Sequence, residues 1–153
     1  MNKLEDLLYS TVRISAEQND GSILNGTGFF YKLKEYPEAP VLVCNQHLMN
    51  NAQNGTISFH VADENNNITN TEHMLTIENI HNICSFHYDG LNDICIINIF
   101  NIFSYFNDNN IKLYYNCISS EMIPSEDDIN NLHIGNDIFL VGYPDDLYDQ
   151  YNK

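Results

Sequence analysis

Seven short segments rich in valine, isoleucine, phenylalanine, tyrosine and threonine recur along this chain, and clusters of asparagine, glycine and aspartate separate them. β-Branched and aromatic side chains suit a pleated, half-buried surface, and Asn-Gly and Asp-Gly steps suit tight reversals. The alternation predicts an all-β fold, a sandwich or a barrel, with strands near 10–14, 27–33, 40–44, 56–61, 72–77, 94–99 and 138–143. "QNDGS" at 18–22 and "QNG" at 53–55 read as hairpin turns, and "DENNN" at 63–67 as a more open polar loop, so pairing is expected to be antiparallel. Helical signal is confined to 100–106 and to Ser125, an N-cap residue followed by Glu126, Asp127 and Asp128. No internal repeat is present, and the nearest thing to a boundary is "CISSEMIPSEDD" at 117–128.

At 153 residues the chain is long enough to bury a core as one domain or two small subdomains, and its 43% hydrophobic content is ordinary for a globular protein. Its charge is not ordinary. Six Lys and Arg stand against 21 Asp and Glu, for a net charge of -15, and Arg13 is the sole arginine. Such a surface repels phosphate backbones and anionic lipid, so neither nucleic acid nor a membrane is an expected partner. No apolar run approaches the roughly 18–20 residues that span a bilayer. The opening "MNKLEDLLYS" carries Glu5 and Asp6 where a secretory signal needs an unbroken apolar stretch, which makes a cytoplasmic location the expectation. Cys44, Cys84, Cys95 and Cys117 form no C-x-x-C pair and lie in or beside apolar runs, so they read as reduced core thiols.

Chemistry is suggested at two places. "VLVCNQHL" at 41–48 begins as a buried strand and then delivers His47, and Asp93 opens "ICIINI", the most apolar run in the chain. A carboxylate at the mouth of such a run needs hydrogen-bond donors, and an imidazole is a natural one. In a histidine–aspartate pair the carboxylate accepts the Nδ1 proton, fixes the tautomer and leaves Nε2 free as a base near neutral pH. The bland reading makes His47 an edge residue satisfied locally and Asp93 a turn residue after Gly90 and Asn92. Asp89 is the rival carboxylate, although it precedes Gly90 and reads as a turn former. A metal reading draws on His81, Cys84, His87 and Cys95, whose spacing departs from common structural zinc sites; residues three apart on a strand also face opposite sides.

The succession "STVRI", "GTGFFYKL", "VLVCNQHLM", "NDICIINI" and "IGNDIFLVGYP" resembles, in order and over nearly the whole chain, the bacterial branch of the trypsin-like, chymotrypsin-fold serine peptidases. The resemblance implies His47 as general base and Asp93 as its orienting carboxylate, with no cofactor and no metal. It implies an antiparallel six-stranded Greek-key barrel over 1–118, followed over 119–153 by a linker and the first strand of an incomplete second barrel. Protein or peptide substrates would be cleaved through an acyl-enzyme. No serine stands in a Gly-x-Ser-Gly context, and neither Cys44 nor Cys95 is placed as the family places its nucleophile, so the chain alone is expected to be inactive. The alternative is a non-catalytic peptidase-like barrel that acts as a binding or scaffold module. Under either reading the apolar "IFLVGY" would lack its covering strands, and self-association through the unfinished second barrel is expected.

Overall fold

A computed structural model describes residues 3–35 and 39–143. Its elements in chain order are α1 (Lys3–Leu8), β1 (Thr11–Gln18), β2 (Ile23–Lys32), β3 (Val41–Cys44), α2 (Gln46–Met49), β4 (Ala52–Ala62) and β5 (Ile68–Glu78). There follow β6 (Cys84–Phe86), β7 (Cys95–Ile97), α3 (Phe100–Asp108), β8 (Ile118–Ser119) and α4 (Glu126–Asn130). Short 3-10 turns precede β6 and follow β8, at Ile80–Ile83 and Ser120–Met122. No helix among the described residues is long and apolar enough to cross a membrane.

The fold is mostly antiparallel β-sheet. Seven strands run in the order β5-β4-β1-β2-β3-β7-β6, and β8 joins β2 as a parallel partner. The sheet is not closed: β5 and β6 end the path without meeting. The first part of β2 pairs with β1, and where β1 has ended, β8 takes the same edge beside Tyr31 and Lys32. The chain reaches that edge by lacing from β4 back to β2. Ala62 N donates to Lys112 O, Tyr114 N to His60 O, and Asn116 N to Tyr9 O.

Alternation along the strands explains the core. In β1, Val12, Ile14 and Ala16 point inward, and Phe30, Leu42, Ile57, Phe59 and Ile97 join them from neighbouring strands. α3 adds Ile102 and Phe106, four residues apart and therefore on one helix face. Phe59 meets Phe106 edge-on with ring centroids 5.0 Å apart, and Phe30 packs on Tyr115 at 4.9 Å. These rings tie the central strands to α3 and to the lacing segment, a geometry worth about 0.5–1.5 kcal/mol per pair beyond the burial itself.

Two sequence expectations need correction. Asn54-Gly55 is not a hairpin turn. Both residues lie inside β4, where Gly55 faces Ala16 on β1 and Ile77 on β5. Glycine stands there because the buried Ile80 side chain lies directly on its backbone: a Cβ at Gly55 would sit 2.4 Å from Ile80 Cδ1. The second correction concerns 138–143, which forms no strand. No neighbour among the described residues pairs with it, and Ile138 and Leu140 are 94% and 95% exposed. Only its end returns to the sheet, where Tyr143 N donates to Thr27 Oγ1 at 2.7 Å; the remainder of the expected second-barrel segment, 144–153, lies outside the described residues. β3 ends at Cys44, as its expected bounds had it, and His47 belongs to the helical turn α2 that follows. The turn at 18–22 does form, with Gln18 N bonded to Ser22 O and Gly21 at φ 82°. Both anticipated helices form, α4 with Ser125 and Asp128 in a reciprocal capping box.

Gly55→Ala should therefore destabilise the chain by about 1–3 kcal/mol, the usual cost of overpacking. Shortening the opposing side chain with Ile80→Val should recover part of that loss, so that the double variant unfolds later than the sum of the single effects requires. Denaturant unfolding of the four proteins checks this, and a wild-type midpoint for Gly55→Ala would refute the close-approach account.

Candidate functional site

Register brings together residues that are 46 positions apart. β3 and β7 pair antiparallel with Leu42 opposite Ile97 and Cys44 opposite Cys95. Beyond that pair the two chains continue past one another, so Asn45, Gln46 and His47 leave β3 alongside Asp93 as it approaches β7. The strand stops at Cys44 because the chain turns into α2, for which Asn45 occupies the N-cap position. The Asn45 side chain does not cap that helix; it is engaged elsewhere.

Asp93 supplies the missing acceptor from across the sheet. Its Oδ1 accepts the His47 backbone N–H at 2.8 Å, one of the amides that a helix start leaves without an internal partner. Its Oδ2 lies 2.6 Å from His47 Nδ1 and also accepts from Asn45 Nδ2 at 3.0 Å. The His47 amide, above all, holds the Asp93 carboxyl below its ordinary range. Partial burial opposes that effect, and the imidazole and Asn45 reinforce it. An ionised carboxylate only accepts, so the Nδ1 facing it carries the proton and the neutral ring presents Nε2 with a lone pair. Among the described residues no side chain hydrogen-bonds Nε2. The imidazole side chain is 68% exposed and the carboxylate 46%.

This arrangement can position a base and stabilise an imidazolium. It contains no nucleophile. Of the described serines, Ser10 donates to Leu7 O, Ser15 to Asn25, Ser22 to Asp20, Ser104 to Phe100 O and Ser125 to Asp128, and none of the described serines hydrogen-bonds His47. Cys44 and Cys95 point into the core. Cys95 does not share a strand face with Asp93 in the regular sense that alternation would give, because β7 begins only at Cys95 and the backbone before it is irregular, with Ile94 N bonded to Asn92 O.

The rival carboxylate has its own partner. Asp89 Oδ1 lies 2.6 Å from His87 Nδ1 and accepts from the Leu91 and Asn92 amides, while Oδ2 accepts from Asn92 Nδ2. It organises the loop that leads to Asp93, with Gly90 at φ 62° beside it. Three side chains of the metal reading are engaged separately: His81 Nδ1 meets Met49 O, Cys84 donates to Ile80 O, and His87 is held by Asp89. Among the described residues no group of three or more His, Cys, Asp or Glu is arranged to hold a metal ion.

Asn45 was not singled out by sequence reasoning as a partner of the carboxylate. Its signal was present in the Asn-x-His spacing, since a side chain two residues before His47 reaches the same oxygen atom. No family model, curated protein or solved structure matches the chain.

A carboxylate whose folded pKa is depressed contributes stability above its unfolded value and loses that contribution as pH falls through the folded value. For Asp93 the window therefore lies at and below the ordinary 3.8. Thermal unfolding from about pH 6 to about pH 2 should show a steeper loss at the acid end in wild type than in Asp93→Asn, and equal slopes would exclude a stabilising role for the ionised group.

Proposed function

We propose that His47 and Asp93 are the general base and orienting carboxylate of a trypsin-like serine endopeptidase, of which this chain represents the amino-terminal part. The observation that carries this reading is the carboxylate held by three donors, with His47 Nδ1 turned to it and Nε2 turned outward. Nε2 would take the proton of an attacking serine hydroxyl as its oxygen bonds to the scissile carbonyl carbon, and would return that proton to the departing amine. Asp93 would stabilise the intervening imidazolium without taking the proton itself. Water then hydrolyses the acyl-serine ester by the same route in reverse.

The sheet order supports the family's architecture to the extent that the histidine and aspartate approach each other through adjacent antiparallel strands. The finer proposal is that β1 to β5 and β7 correspond to its six-stranded Greek-key first barrel, with the three-residue β6 added at the sheet edge. The serine and the oxyanion hole lie outside the described residues under this reading, so the 153-residue chain by itself cleaves nothing. A second reading, a non-catalytic barrel that binds other proteins, is favoured by one observation: no described hydroxyl or thiol reaches Nε2.

Labelling with a fluorophosphonate, which bonds covalently to a base-activated serine, separates the two. The product of the complete reading frame should label, His47→Ala should abolish labelling, and the 153-residue chain should not label at all. Failure of the complete product to label would leave the binding-module reading in its place, and labelling that survives His47→Ala would overturn the role of His47 as the base.

A further inference from the structure

Three of the four cysteines meet beneath the His47–Asp93 pair, and the proposed chemistry uses none of them. Cys44 on β3 and Cys95 on β7 are direct cross-strand partners, and both are buried. Cys84 on the neighbouring β6 stands opposite Ile97, one diagonal step from Cys95. Directly opposed residues of an antiparallel pair have Cα atoms about 4.5–5.5 Å apart, within the roughly 4.4–6.8 Å that a disulfide spans. A diagonal neighbour lies at about 7–8 Å, beyond that reach. The backbone therefore selects one pair among three thiols.

The sulfurs are also electronically unequal. The neighbouring Cys44 thiol, above all, holds the Cys95 thiol below its ordinary range, and the same contact, with burial, pushes Cys44 up. Cys95 is thus the sulfur best able to react as thiolate, with the Cys44 thiol beside it.

We propose that Cys44 and Cys95 form an oxidisable pair that closes into a cross-strand disulfide under hydrogen peroxide, locking the strand pairing that carries the histidine and the aspartate. The Cys95 thiolate attacks one peroxide oxygen; the O–O bond breaks, and the departing hydroxide takes up the thiol's former proton as water. Cys44 sulfur then attacks the resulting sulfenic acid, the S–O bond breaks, and hydroxide leaves with the Cys44 proton as a second water. Two thiols lose two electrons and the peroxide becomes two waters. Access requires fraying of β6, a three-residue strand at the sheet edge whose Cys84 is only half-buried, so the reaction is slow compared with that of a free thiol. This inference does not depend on the peptidase reading.

The 153-residue chain, treated with hydrogen peroxide, denatured, alkylated and cut at aspartate, tests it; Asp63, Asp89 and Asp93 separate the three cysteines into different peptides. The expected product has lost two hydrogen masses, joins the Cys44 and Cys95 peptides within one chain, and reverts with dithiothreitol. Cys84→Ala and Cys117→Ala should retain the bridge, while Cys44→Ala should leave a Cys95 sulfenic acid that dimedone traps. In the oxidised chain the His47 amide should exchange its hydrogen more slowly than in the reduced chain. Four thiols that all remain alkylatable, or a bridge through Cys84, through Cys117 or between two chains, would overturn the assignment, and the wild-type map decides this even where a variant fails to fold.

Discussion

The pairing of β3 with β7 is the constraint on which the site depends. With Cys44 opposite Cys95, the segment leaving one strand and the segment entering the other must run side by side. A one-residue slip of β7 would turn its side chains to the opposite face, taking Cys95 and Ile97 out of the core together. Their burial fixes the register, and the register fixes where Asp93 meets His47. The geometry of the pair is thus a consequence of hydrophobic packing two residues away.

Asp93 then serves two purposes with one carboxylate. One oxygen satisfies the amide of His47 at the start of a four-residue helix, and the other meets the imidazole of the same residue. Backbone and side chain of His47 are held by one group, so neither the helical turn nor the ring can rotate without breaking a bond. Asn45 limits the remaining freedom of the carboxylate from the far side. A helix this short has little stability of its own, and its inward-facing Leu48 and Met49 supply the packing that propensity does not.

Much of this was legible in the sequence, and the omissions have physical causes. The strand segments and the short helix at 100–108 follow from side-chain type and periodicity, which the core enforces. The contact between His47 and Asp93 was legible because an ionisable group beside a strongly apolar run needs a partner. Asn54-Gly55 misled because the same dipeptide serves a turn or a close approach, and only the position of Ile80, 25 residues on, decides between them. The run at 138–143 has strand composition, yet composition cannot supply a neighbouring strand, and without one the ladder does not form. The turn α2 was hidden because its start is satisfied by a carboxylate from the segment leading into β7 rather than by a local cap.

Exposure decides what the histidine–aspartate pair is worth as it stands. Between groups as solvent-exposed as these, water screens the attraction and the net energy is small. The pair therefore cannot have been assembled for stability by its charge alone; the hydrogen bonds of Asp93 to the amide and to Asn45 do that positioning. What the pair holds is orientation, with the Nδ1 proton committed and Nε2 directed to solvent. Orientation gains chemical force when water is removed, because the same contacts strengthen in a lower dielectric. A surface that covers His47, whether a substrate backbone or a further barrel, would convert a weak exposed contact into one able to stabilise an imidazolium as it forms.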